Sequence, residues 1–154
     1  MKYKSFLISL LLVSFCSGEE TQAEICDWYL TLVEDEMTLE YEKLIRDFNR
    51  TTEMYGANEL SEAIAKSTYS IGGEYYDELE DIIEDFNEIK PNENNVSNNN
   101  EIIKNLRDMQ TALEDMKQWV ETQDVAYLSS GLQAIQKADE NIVNIYNNLT
   151  CPTD

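Results

Sequence analysis

The sequence holds no histidine, only five glycines, two prolines and three cysteines in 154 residues. Without histidine the chain lacks the usual general base at neutral pH, the commonest metal ligand and the usual axial haem ligand. It also lacks the Glu-x-x-His element on which di-iron helical bundles depend. Five glycines and two prolines are too few for the many reversals of a β-sandwich or barrel. Basic side chains are scarce as well: 11 Lys and Arg face 31 Asp and Glu, a net charge of −20. Such a surface repels phosphate backbones, so nucleic acid is not an expected partner. No G-x-S-x-G, phosphate-binding loop, dinucleotide fingerprint or C-x-x-C-H motif occurs, so neither enzymatic activity nor a cofactor or metal is expected. What is present is a hydrophobic share of 42%, enough for one packed domain.

The chain opens MKYKSFLISLLLVSFCSG. Lys2 and Lys4 precede a ten-residue apolar run from Phe6 to Phe15, and the first acid is Glu19. A bilayer span needs about 20 apolar residues, so this order reads as an export signal over 1–18. Removing it leaves 9 basic against 31 acidic side chains, a net charge near −22. Val13-Ser14-Phe15-Cys16 resembles the end of a bacterial lipoprotein signal. That resemblance implies that Cys16 is acylated and anchors the protein to the cell envelope, although Phe15 stands where the pattern holds a small residue. Ordinary cleavage after Gly18 or Ala23, giving a secreted protein, is the other reading. Residues 19–23 then form a short tether, and 24–154 form a single helical domain.

Setting Cys16 aside leaves Cys26 and Cys151, near the two ends of the mature chain. In an oxidising compartment these form the natural disulfide; two free buried thiols are the alternative. Three N-x-S/T sequons begin at Asn49, Asn95 and Asn148. Chance alone supplies about two in this composition, so they do not argue for glycosylation.

Four amphipathic stretches follow. The first stripe is Ile25, Trp28, Tyr29, Leu32, Val33, Met37, Tyr41, Leu44, Ile45 and Phe48, ending near Gly56 with Asn58 placed to cap the next helix. The second is Leu60, Ile64, Ile71, Tyr75, Leu79, Ile82, Phe86 and Ile89, with Gly72-Gly73 as a place to kink or split. Pro91 and the run Asn92 to Asn100 read as a loop. Ile102, Leu106, Met109, Leu113, Met116 and Val120 step 4-3-4-3-4, a bundle seam. Thr122 or Asp124 can cap the last helix, whose stripe is Val125, Leu128, Leu132, Ile135, Ala138, Ile142, Ile145 and Leu149, weakened at Gly131. The fold expected is an all-α, up-down-up-down four-helix bundle, with helices broken near Gly72-Gly73 and Gly131 as the variant. That topology brings Cys26 and Cys151 to the same end.

Glu74 to Glu93 carries nine acids and one Lys, the densest acidic run. Its regular helical spacing suits a solvated face or a basic partner better than a wrapped cation. Tyr76 and Trp119 fall off the apolar stripes and are the expected exposed partner contacts. The function expected is therefore a non-enzymatic, extracytoplasmic protein-binding module whose partner presents a basic surface. A soluble secreted carrier holding an apolar ligand between the helices is the alternative.

Overall fold

Step lengths in the first apolar stripe set the shape of the first rod. Tyr29, Val33, Met37 and Tyr41 follow one another at intervals of four. Each such step overshoots an α-helical turn by about 40°, so three of them would carry the stripe off the core. In the computed structural model, which describes residues 21–151, the helix absorbs the drift with a π-helical turn. α1 spans Gln22–Asp35, the π-turn spans Glu36–Tyr41 and α2 spans Glu42–Gly56, in one continuous rod. Glu42 N–H accordingly donates to the carbonyl of Met37, five residues back. All four stripe residues, with Leu44 and Phe48 beyond them, are buried. A capping box starts the rod: Thr21 accepts from Glu24 N–H, and the Glu24 carboxylate accepts from Thr21 N–H at 2.9 Å.

Past Gly56 the chain turns through Asn58, which takes a left-handed φ of 59°. Ser61, not Asn58, caps α3 (Glu62–Tyr69) by accepting from Ile64 N–H. The expected split at Gly72-Gly73 is present. Gly72 has φ +73°, and a Cβ on Gly73 would lie 2.0 Å from the Ser67 carbonyl. α4 (Glu74–Glu88) follows and buries Tyr75, Leu79, Ile82, Ile83 and Phe86. Two members of the expected second stripe, Ile64 and Ile71, are instead exposed; α3 buries Ala65, Thr68 and Tyr69.

The loop after α4 is shorter than its polar run implies, because α5 (Val96–Thr122) already includes Asn98-Asn99-Asn100. Asn99 is held in the helix by bridging elements: its amide donates to the Phe86 carbonyl at 2.9 Å and accepts from Tyr29 Oη. Asn95 is also buried, its amide donating to Asn92 Oδ1 at 2.8 Å, so this sequon is closed in the folded protein. A tight turn with Gln123 at φ 59° leads to Asp124, which caps α6 (Val125–Asn147) by accepting from Ala126 N–H. Gly131 does not break α6. Its missing side chain makes room for Met116 of α5, and the two helices pack along their length.

Every regular element among the described residues is helical, and the order is that of an up-down-up-down bundle with its second rod split into α3 and α4. Cys26 and Cys151 meet at one end as a disulfide, Cα to Cα 5.6 Å. An aromatic cluster of Phe48, Tyr69 and Tyr75, edge to face at 5.6 to 5.8 Å about Phe48, fills the centre where α2, α3 and α4 meet. The buried tyrosine hydroxyls reach across helices: Tyr75 to the Asp47 carbonyl at 2.7 Å, Tyr69 to Thr52 at 2.9 Å. Burial pushes the hydroxyls of Tyr29, Tyr69 and Tyr75 up to about 12, so all three stay neutral donors.

Candidate functional site

The four rods do not close evenly. α6 lies along α5, and the first rod packs on α3 and α4, but α2 and α6 make no comparable approach to each other. Along that seam runs an open groove of about 660 Å³. Its floor is Met37 and Tyr41 from the π-turn, both buried. Ile45 on α2 and Val143 and Tyr146 on α6 form its apolar walls, with Val143 39% exposed. Beside the gap Ile145 of α6 is only partly buried; nearer the start of the helix Leu132 is partly buried and Val125, expected in the stripe, is exposed.

Charge is arranged along the groove in a definite order. Glu42, Arg46, Arg50 and Glu53 all line it from α2. At 100° per residue these four positions fall within an arc of about 80°, so they share one helix face. Neither arginine has a carboxylate within ion-pair distance among the described residues, whereas Lys43, Lys66, Lys104 and Lys117 each have one. Opposite them, Asp139 of α6 accepts from Tyr41 Oη at 2.8 Å. Burial, then the Asp139 charge, holds the Tyr41 hydroxyl far above the ordinary tyrosine range, which makes this bond a fixed strut under the groove.

Beside the groove, the π-turn presents a second electrostatic feature. Glu36 Oε2 is buried and has no hydrogen-bond partner among the described residues. Burial first, then the charges of Asp85, Glu40 and Asp35, push its carboxyl up to about 7. Asp85, across on α4, is raised by burial and by its own acidic neighbours. Among the described residues no group of three or more Asp, Glu, Cys or His stands where it could hold a metal ion. No helix among them is long and apolar enough to cross a membrane.

Trp119 is not an exposed contact. It is 6% exposed and stacks edge-on against Tyr55 at 5.1 Å, because it flanks the α5 seam on the side that α2 and α3 cover. Tyr76 is half-buried and packs against the core; its carbonyl accepts from the Gln110 amide at 3.4 Å. Neither lines the groove. Trp28, expected in the first stripe, is the exposed tryptophan. Cys16 lies outside the described residues. The stripes alone do not announce the groove, although two signals for it are visible in the chain: the repeated step of four from Tyr29 to Tyr41, and the spacing Glu42, Arg46, Arg50, Glu53.

No family model, curated protein or solved structure matches the chain.

Proposed function

We propose that the chain is a non-enzymatic, exported helical module that binds another protein, held at the cell envelope by a lipid on Cys16. The observation that carries this reading is the groove between α2 and α6, open on one side, apolar in its floor and edged along α2 by a row of charges. Grooves lined by two helices are suited to a helix from a partner, whose apolar stripe completes the seam. With a net charge near −22 once the export signal is removed, the chain steers toward a basic surface and away from acidic competitors. The dense acids of α4 supply much of that field.

Carriage of an apolar ligand is less well supported. A carrier needs a chamber of several hundred Å³ that encloses most of its cargo. The concavity among Leu44, Phe48, Leu79, Met109 and Leu113 in the core holds about 10 Å³, the room of a single water. The larger space lies at the surface.

Zero-length carbodiimide coupling in the native host tests the reading, because it joins the carboxylates of this chain to lysines of a bound basic protein. The expected result is one discrete one-to-one adduct that fades as salt is raised from about 50 to about 500 mM. Absence of any protein adduct at low salt would overturn the reading.

A further inference from the structure

On the protein-binding reading above, we infer that the groove takes an amphipathic helix whose charges run Lys, acid, acid, Lys against the Glu42, Arg46, Arg50, Glu53 row. The row spans twelve residues, about 16 Å of α2, and all four side chains line the groove. Its signs are negative, positive, positive, negative. Two arginines one turn apart, with no carboxylate paired to them among the described residues, make the middle of the row positive, between Glu42 and Glu53 and across the groove from Asp139, in an otherwise acidic protein. A guanidinium also presents a planar fork that matches a carboxylate better than an ammonium does. The apolar stripe of the incoming helix would lie over Ile45, Val143 and Tyr146.

In the antiparallel register that pairs the whole row with itself, the same order opposes a second copy of this chain. An antiparallel α2–α2 pairing places Glu42 against Glu53 and Arg46 against Arg50, like against like, between two bodies of −20 each. The occupant is therefore a partner's helix, chosen by a sign pattern and not by net charge alone.

Two synthetic 18-residue helical peptides test this on the full disulfide-bonded chain. Both carry a leucine stripe and four charges spaced i, i+4, i+8, i+11; one reads Lys, Glu, Glu, Lys and the other Glu, Lys, Lys, Glu. Their composition and net charge are identical, so general attraction to an acidic surface acts on both equally. By fluorescence anisotropy the first should bind one-to-one and at least tenfold tighter than the second. The Arg46→Gln/Arg50→Gln double variant, which keeps Glu42 and Glu53, should reduce a tenfold preference to about threefold, Arg46→Glu/Arg50→Glu should erase it, and inverting all four signs (Glu42→Arg/Arg46→Glu/Arg50→Glu/Glu53→Arg) should reverse it. Equal affinities for the unaltered chain, or binding of neither peptide, would overturn the inference. If carbodiimide adducts form in the host while the peptides are not distinguished, the groove assignment fails and the protein-binding reading stands. If the adducts are absent too, both fail.

Discussion

Gly131 of α6 and Met116 of α5 interlock: a Cβ on Gly131 would stand 2.8 Å from Met116 Sδ and 3.3 Å from the Ala112 carbonyl. This notch is what lets α6 lie along α5, leaving the opposite seam, with α2, open. Gly131→Val should cost about 1–3 kcal/mol by overpacking, against a small gain in helix propensity. A Cβ added to Gly56, at the end of α2, would meet nothing within 4 Å, so Gly56→Ala should be neutral or stabilise by up to about 1 kcal/mol. Thermal melts should therefore place Gly131→Val below the unaltered chain and Gly56→Ala level with it or above. Equal losses in the two variants contradict the packing argument.

Glu36 gives stability a definite pH dependence. Its folded-state pKa, about 7, lies above the ordinary glutamate value of 4.5, so the folded protein holds its proton more tightly than the unfolded chain does. Stability should fall as pH rises from 4.5 toward 7, with the full cost present above that window. Asp85 adds to the loss in the same direction. Because Glu36 is only half-buried, solvent screening reduces the effect to about 1–2 kcal/mol. Urea denaturation of Glu36→Gln should gain that amount near pH 8 and nothing near pH 4; an equal effect at both would show that the carboxylate is not strained.

Asn99 should be the most sensitive of the asparagines in the loop and the first turns of α5. Asn99→Ala strands the Phe86 carbonyl and the Tyr29 hydroxyl in the interior, at a cost of about 1–3 kcal/mol. Asn100, which is exposed, should tolerate the same change within about 0.5 kcal/mol. Chemical denaturation distinguishes the two, and equal losses would contradict the bridging role.

The disulfide closes a sequence separation of 125 residues. In the chain-entropy account, Cys26→Ala/Cys151→Ala should lose up to about 4–5 kcal/mol while keeping a helical circular-dichroism spectrum. An unchanged melting temperature would show that the end of the bundle is held by packing alone.

The two tryptophans should report opposite surroundings. In Trp28→Phe the remaining Trp119 should emit at short wavelength and resist acrylamide; in Trp119→Phe the remaining Trp28, 58% exposed, should be readily quenched. Similar quenching of both would contradict the burial of Trp119.

Much of this architecture is legible in the chain because helix periodicity is a long-range signal. The 4-3-4-3-4 seam of α5 is buried throughout, and the topology that brings Cys26 to Cys151 follows from four stripes and short connections. Elements that depend on tertiary context are harder to read. Asn98 to Asn100 look like loop because asparagine competes for backbone hydrogen bonds, yet Asn99 finds its partners on α1 and α4, far away in sequence. Gly131 reads as a helix breaker until Met116 is seen to fill its place. Trp119 lies off a strict seam, but α5 is covered by neighbours on a wider arc than the seam alone requires. The groove depends on two helices failing to close on each other, which no single stripe encodes.

Photocross-linking in the native host from two positions of the full chain tests the protein-binding groove most directly. A benzophenone side chain at Asn49 sits in the groove, and one at Lys104 sits on the exposed side of α5. The expected result is a discrete protein adduct from position 49, weakened in the Arg46→Glu/Arg50→Glu background, and none from position 104. Equal adducts from both positions, or an adduct from 104 alone, would contradict it.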